Sequence, residues 1–123
     1  MTRRTTDGVL LVDKPEALTS HDVVAIARRA LGVPRVGHTG TLDPFATGLL
    51  VLLVGRATRL APYVEGEPKQ YRACIRFGVE TDSDDCTGAE RRTAPLPDAA
   101  AVDRGLAALT GGLRQQPPAF SAK

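Results

Sequence analysis

The chain has 123 residues, of which 42% are hydrophobic and 24% are charged. That length suits one domain with a single core, and the composition excludes a disordered tail. The longest apolar run covers residues 49–54. This is far short of the roughly 20 residues that cross a bilayer, so no membrane partner is expected. No signal-peptide pattern occurs, and Cys74 and Cys86 lack metal-binding spacing. We therefore expect a cytoplasmic protein with no metal and no disulfide framework.

The net charge of +2 is small, but the charges are unevenly distributed. Thirteen of the sixteen cationic residues are arginines, whereas residues 79–90 hold five acids and no base. The chain outside that acidic segment is therefore basic. Arginine binds phosphate through a planar fork and stacks on bases, which favours RNA contact, although ordinary protein surfaces also carry arginine. Charge alone leaves both interpretations open.

The first half of the chain predicts two buried strands and two helices. Residues 8–13 are an apolar run that ends at Lys14-Pro15, and residues 49–54 are a second such run. A helix is predicted over residues 20–31, with Ser20 as its N-cap and Gly32 at its end. A short helix is predicted over residues 56–64. The expected apolar face of the first helix consists of Val23, Ala27, Ala30 and Leu31.

The second half predicts a strand, an acidic turn and a helix. Residues 70–78 alternate between apolar and polar side chains, which is typical of a strand with one wet face. Residues 81–88 predict a solvated turn, and residues 98–110 predict a helix with Asp98 as its cap. Residues 115–123 predict an extended, proline-bounded segment. The whole pattern predicts an α+β fold in which helices flank a mixed, mainly antiparallel sheet.

Residues 35–48 have no periodicity and contain three glycines and one proline. Such a stretch inside a compact domain is usually a functional loop, and it carries one carboxylate, Asp43, with His38 five positions earlier. A purely structural interpretation is also open. Asp43-Pro44 has the residues of a helix N-cap followed by proline at the first helical position, and a loop histidine is commonly solvated.

Three familiar site types fail against the sequence. A phosphate-binding P-loop needs a lysine, and neither Lys nor Arg lies between Arg35 and Arg56. An aspartyl-phosphate nucleophile would precede the Thr-Gly-Thr segment, whereas the only nearby acid follows it. A calcium loop beginning at Asp82 would have Thr87 in place of its turn glycine and Thr93 in place of its final glutamate.

Several short blocks occur in the order and spacing of one protein family. The chain resembles the bacterial TruB-type tRNA pseudouridine synthases from about residue 8 to its last residue. The block GHTGTLDP, followed by ATG, is the most specific of these signatures. The blocks are LVDKP at 11–15 with TS at 19–20, GHTGTLDP at 37–44, ATG at 46–48, KQY at 69–71, TD at 81–82, and PP at 117–118.

The resemblance implies a pseudouridine synthase-like fold and isomerisation of a uridine to pseudouridine in the T loop of tRNA, at tRNA position 55. It implies no cofactor and no metal, and it makes Asp43 the catalytic aspartate. An ionised carboxylate could attack the sugar or remove a sugar proton, and the sequence does not choose between these routes. The target base must be flipped out of its stack, which costs a few kcal/mol.

The same resemblance implies three substrate-binding residues. Tyr71 matches the tyrosine that stacks on the flipped base, but it would otherwise be an inward-facing strand residue. His38 matches a histidine that contacts the nucleotide. Lys14 matches a position near the floor of the active site, and its alternative is a surface lysine. The expected phosphate contacts come from Arg28, Arg29, Arg56, Arg59, Arg72 and Arg76.

The match also has departures. Ala17 replaces the glycine of the KPxGxTS block, so the turn must avoid a positive φ or bear strain. Family members are much longer, so we expect residues 1–123 to be the N-terminal part of an incomplete catalytic domain. The rest of that domain and a C-terminal RNA-binding domain are expected to be absent. The isolated chain is expected to be weakly active or inactive and to self-associate.

Alternatives from other classes stay open at this point. The chain could be a noncatalytic RNA-binding piece, a relative of the guide-RNA-directed H/ACA-type synthases, or a structural α+β domain without salt-dependent RNA affinity.

Overall fold

The computed structural model describes residues 6–117, which divide into two compact units with their boundary in the sequence between Gln70 and Tyr71. The first unit holds a three-stranded sheet, and the second holds a two-stranded hairpin; both sheets are antiparallel. The predicted α+β fold is confirmed. The first unit contains β1 Gly8–Lys14, α1 Ser20–Leu31, β2 Val36–Thr39, β3 Gly48–Val54, a 3₁₀ helix Gly55–Leu60 and α2 Ala61–Glu65. The second contains β4 Val79–Thr81, β5 Glu90–Thr93 and α3 Ala99–Ala108.

The core of the first unit lies between α1 and one face of its sheet. β3 is the central strand, with β1 on one side and β2 on the other. Directly paired residues point to the same face of a sheet, so alternate residues of β3 face the helix. Burial of this aliphatic layer holds the helix on the sheet. The core consists of Val23, Val24, Ala27, Val36, Leu50, Leu52 and Val54.

The predicted helix exists over the predicted residues, but its details differ. Thr19 is the N-cap, and it forms a reciprocal capping box with Asp22. Ser20 is instead the first helical residue and is buried. The apolar face is rotated from the predicted one, because Val24 is buried while Leu31 is exposed. The predictions of Ser20 as the cap, and of Ala30 and Leu31 as core residues, are therefore wrong.

The strand predictions were partly wrong as well. β1 is an edge strand, and much of its apolar surface is exposed rather than buried. Residues 36–39 form β2 although the sequence predicts a loop there. Residues 70–76 form no strand, because no strand among residues 6–117 pairs with their backbone. Alternation alone does not supply the hydrogen-bonded neighbour that a strand requires.

The sheet face that points away from α1 is partly open. Val9, Leu11 and Leu49 lie on this face and are more than half exposed. Leu53, on the same face, is buried. The first unit therefore has one covered sheet face and one incompletely covered apolar face.

The second unit confirms the predicted acidic turn, which connects β4 to β5. Asp85 accepts hydrogen bonds from the hydroxyls of Ser83 and Thr87 and from the Thr87 amide. The Thr87 hydroxyl, followed by that of Ser83, lowers the pKa of Asp85. Asp98 caps α3 as predicted, by accepting the Ala101 amide at 2.7 Å. The predicted extended segment at residues 115–123 lies mostly outside the described residues.

No helix within residues 6–117 has both the length and the apolar character needed to cross a membrane.

Candidate active site

Asp43 lies in the connection between β2 and β3, which we call the Asp43 loop and define as residues 40–47. Gly40 and Gly48 flank the aspartate at φ values of 70° and 117°, in the region that favours glycine. The amide of Ala46 donates to the Asp43 carbonyl at 3.0 Å and closes a turn. The chain then enters β3 without forming a helix. The interpretation of Asp43 as a helix N-cap is therefore wrong.

The residue before Asp43 is fixed by the first residue of α1. The Leu42 amide donates to Ser20 Oγ at 2.9 Å, and the Ser20 hydroxyl donates to the Leu42 carbonyl at 3.2 Å. Ser20 is buried, so these bonds are shielded from competition with water. The start of α1 thus fixes the position of the backbone immediately before Asp43.

The residue after Asp43 is fixed by Lys14. The Lys14 side chain is fully buried, and its Nζ donates to the carbonyls of Pro15 and Leu18 at 2.8 Å and of Pro44 at 3.2 Å. The amide of Ala17 donates to the same Pro44 carbonyl at 2.9 Å. The three acceptors use all three hydrogens of an ammonium group.

This geometry changes the interpretation of Lys14. The surface-lysine alternative is wrong because the side chain is buried. The predicted contact between Lys14 and a nucleotide stays a prediction. The positions of its three acceptors favour a positioning role instead, in which the ammonium joins the end of β1 to the Asp43 loop.

Asp43 itself is exposed, in contrast to the buried groups that hold its neighbours. Within residues 6–117, the carboxylate makes no ion pair and accepts no hydrogen bond from the residues that anchor Leu42 and Pro44. The loop therefore presents a carboxylate on a backbone that is fixed on both sides. Such an arrangement can direct a charge toward a bound molecule without spending energy on reorganising the loop.

His38 lies on β2 opposite Leu52, on the sheet face that packs against α1. Its Nδ1 is buried and has no hydrogen-bond partner among the described residues. Buried ring nitrogens normally have a partner, so this atom is an unfilled hydrogen-bonding position close in sequence to the Asp43 loop. The predicted contact between His38 and a nucleotide stays a prediction.

Tyr71 is the first residue of the second unit and is 69% exposed. The alternative interpretation, an inward-facing strand residue, is wrong. The structure places Lys14, His38 and Asp43 in the first unit, and Tyr71 belongs to the other. Its predicted stacking on a base stays a prediction.

Sequence reasoning missed two residues of this site. Ser20 was predicted as a helix cap, but it holds Leu42. Lys69 received no role, yet a Cβ atom built on Gly40 would lie 3.5 Å from the Lys69 Nζ. An exposed cation therefore lies beside the start of the Asp43 loop. The KQY block contained the signal for Lys69, but only the fold shows which loop it approaches.

Comparison with known proteins places these features in a family. The family model described as TruB family pseudouridylate synthase (N terminal domain) matches residues 28–123. A protein named tRNA pseudouridine synthase B from Thermobifida fusca is 56% identical over 118 residues, which are 94% of this chain and 40% of that protein. A protein of the same name from Opitutus terrae is 48% identical over 122 residues, which are 98% of this chain and 51% of that protein.

One chain in a solved structure of an H/ACA ribonucleoprotein bound to a substrate RNA containing 2'-deoxyuridine is 43% identical in sequence to this chain over the matched segment. That match covers 46% of this chain and 18% of the solved chain, with a TM-score of 0.44.

This chain spans 40% and 51% of the lengths of the two bacterial relatives. The family model covers most of the chain, including the Asp43 loop, and begins after the anchoring residues Lys14 and Ser20. The chain belongs to the TruB family of pseudouridylate synthases.

Proposed function

We propose that this chain carries the catalytic aspartate of a tRNA pseudouridine synthase, an isomerase that acts on the T-loop uridine at tRNA position 55. The observation that supports this proposal most strongly is the Asp43 loop. Its backbone is anchored on both sides of a carboxylate that is itself exposed. Two relatives that are 56% and 48% identical over the segment they share with this chain are named tRNA pseudouridine synthase B.

Asp43 is the proposed catalytic residue. Breaking the bond between uracil and ribose builds positive character on the sugar, which an adjacent carboxylate stabilises. Asp43 then either attacks the sugar carbon or removes a proton from the sugar, and both routes need the same placement. The detached uracil must rotate and rejoin the ribose through carbon, so the base has to stay in a pocket that excludes water.

The anchors of the loop support the chemistry through orientation. A carboxylate held within reach of one sugar atom converts an encounter into an effectively intramolecular step. Ser20 and Lys14 hold the residues on either side of Asp43, and neither needs to touch the RNA to do so. We assign both as positioning residues.

The remaining predicted contacts act on the flipped nucleotide. Tyr71 stacks on the base in this proposal, and an aromatic face contributes roughly 1 to 3 kcal/mol per stacked base. His38 supplies a hydrogen bond from the buried side of β2, where its Nδ1 lacks a protein partner among the described residues. Lys69 attracts a phosphate beside Gly40. No cofactor and no metal are proposed.

The proposal also concerns the extent of the active unit. We propose that residues 1–123 are the N-terminal part of the catalytic domain and that the chain alone is weakly active or inactive. Within the described residues, no cation pairs with Asp43 to orient it. A guide-RNA-directed synthase and a noncatalytic RNA-binding piece are the competing functions.

A chimera separates catalysis from binding. Residues 6–117 replace the matching segment of the Thermobifida fusca relative, which is 56% identical. Pseudouridine is then measured by selective chemical labelling of an unmodified tRNA transcript, without any guide RNA. We expect conversion at one T-loop uridine with the chimera, and none with its Asp43→Asn variant at equal RNA occupancy.

Asp103→Asn is the matched control, because it removes an exposed carboxylate from α3. It is expected to leave conversion unchanged. RNA binding without conversion by the unmutated chimera would favour the noncatalytic alternative. Conversion only after a guide RNA is added would favour the H/ACA-type alternative.

A further inference from the structure

Five exposed arginines surround the end of the first unit's sheet that lies opposite the Asp43 loop. We call this set the arginine cluster; its members are Arg28, Arg29, Arg35, Arg56 and Arg59. The Asp43 loop lies where β1 ends and β3 begins, at the pair of Lys14 and Gly48. The cluster lies where β3 ends, at Val54, which pairs with both Gly8 and Val36.

Hydrogen bonds join the cluster across three separate segments. Arg28 Nη2 donates to the Val36 carbonyl at 2.9 Å, which brings the last turn of α1 to the start of β2. Arg35 Nε donates to Thr58 Oγ1 at 2.8 Å, and the Arg35 carbonyl accepts the Gly55 amide at 2.7 Å. The start of β2 is therefore bound to the 3₁₀ helix.

The 3₁₀ helix places two further arginines side by side. Residues three apart in a 3₁₀ helix lie on the same side, so Arg56 and Arg59 share one face of Gly55–Leu60. The Arg56 amide, followed by the Arg56 side chain, donates to Asp7 and lowers the pKa of this carboxyl. Asp7 is therefore bound by one of the two arginines on this face.

The cluster has more positive charge than its protein partners neutralise. In the part of the chain described, Asp7 is the carboxylate in ion-pair contact with a cluster member, and that member is Arg56. Arg29 and Arg59 make no side-chain hydrogen bond or ion pair within residues 6–117. Their guanidinium groups are therefore available to an external anion.

We propose that the arginine cluster binds the phosphate backbone of RNA, as a second contact surface apart from the Asp43 loop. β3 has seven residues, so the two surfaces are about 20 Å apart at 3.3 Å per residue. The inference rests on the proposed function, which makes tRNA the substrate. Several guanidinium groups on one surface fit a repeating row of phosphates better than a single small anion. The contact carries no sequence preference, because phosphates present none.

The test measures the affinity of the 123-residue chain for an unmodified tRNA transcript by fluorescence anisotropy, over a series of salt concentrations. The variant is Arg29→Gln with Arg59→Gln, which spares the arginines that hold the fold together. Two lost phosphate contacts lower the slope of log affinity against log salt by about 1.4 to 1.8. At about 0.1 M salt, we expect tRNA binding to weaken by at least roughly tenfold.

Arg104→Gln with Arg114→Gln is the matched control, because it removes the same net charge from exposed arginines of the second unit. The proposal predicts a clearly smaller loss with this control. Equal losses in the two double variants would overturn it, as would an unchanged salt slope in the cluster variant. The proposal would also be overturned if the cluster variant lost more affinity for an acidic protein than for tRNA.

The proposed function is tested separately by Asp43→Asn, whose readout is pseudouridine rather than affinity. An unchanged salt slope in the cluster variant, together with lost conversion in Asp43→Asn, would therefore overturn the arginine proposal alone. Unchanged conversion in Asp43→Asn would overturn the proposed function alone.

Discussion

At the residue scale, the buried ammonium of Lys14 holds the backbone next to the exposed carboxylate of Asp43. Lys14→Met should remove the bonds to Leu18 and Pro44, and of these two carbonyls the one of Pro44 keeps the Ala17 amide as a donor. We expect the free energy of unfolding to fall by about 2–5 kcal/mol. In the chimera, the rate constant at saturating tRNA should fall while tRNA affinity is kept.

Equal losses in rate and in affinity would contradict a positioning role for Lys14. If Lys14→Met does not fold, Ser20→Ala tests the same idea from the other side of Asp43, because it removes both bonds to Leu42.

Ala17 has the strained backbone that was one of the two outcomes expected when alanine replaces the glycine of this block. Its φ is 67°, in the left-handed region, where residues with a Cβ atom are disfavoured. The Ala17 amide bonds to Pro44, so the strained turn is part of the framework of the loop. Ala17→Gly should raise the free energy of unfolding by about 0.5–1 kcal/mol. Denaturant unfolding measures this, and a destabilised variant would contradict the strain.

The roles of single residues were only partly accessible from the sequence. The block match singled out Lys14 and Asp43, and the loop glycines indicated an irregular backbone. Three acceptors for one ammonium could not be predicted, because two of them are carbonyls of Leu18 and Pro44, which come together only when β1 and the loop are folded. The same applies to Lys69 beside Gly40.

At the scale of elements, the start of α1 links stability to pH. The Thr19 amide, followed by the Thr19 hydroxyl, lowers the pKa of Asp22 below its usual 3.8. The ionised carboxylate therefore stabilises the folded state above that pH, and this contribution is lost as the pH falls through the lowered value. Asp22→Asn should lose less stability than the parent chain between about pH 6 and about pH 2.5. Urea unfolding at both values tests this, and equal acid sensitivity would count against it.

The elements that could be predicted are those with a local cause. α1 and α3 have caps and apolar periodicity, and both lie close to their predicted bounds. β2 was missed because its four residues contain a glycine, a histidine and a threonine. Only pairing with β3 makes it a strand. Residues 70–76 had the opposite fault, since their pattern suited a strand but no strand of the described chain pairs with them.

At the scale of the molecule, the open sheet face predicts self-association. Leu11 and Leu49 are 65% and 66% exposed and lie on the same face. β1 and β2 are edge strands, which can also pair with another chain. We expect a second copy of this chain to cover the face. Sedimentation velocity should show reversible association that strengthens with concentration and weakens in Leu11→Ser with Leu49→Ser. A monomer at all concentrations would contradict this.

The most direct test of the central claim is the single-turnover rate of pseudouridine formation at saturating tRNA, in the chimera with and without Asp43→Asn. If the carboxylate of Asp43 performs the chemistry, its loss should slow conversion by at least about 10³-fold with tRNA affinity unchanged. A rate within about tenfold of the parent would show that another group carries the reaction.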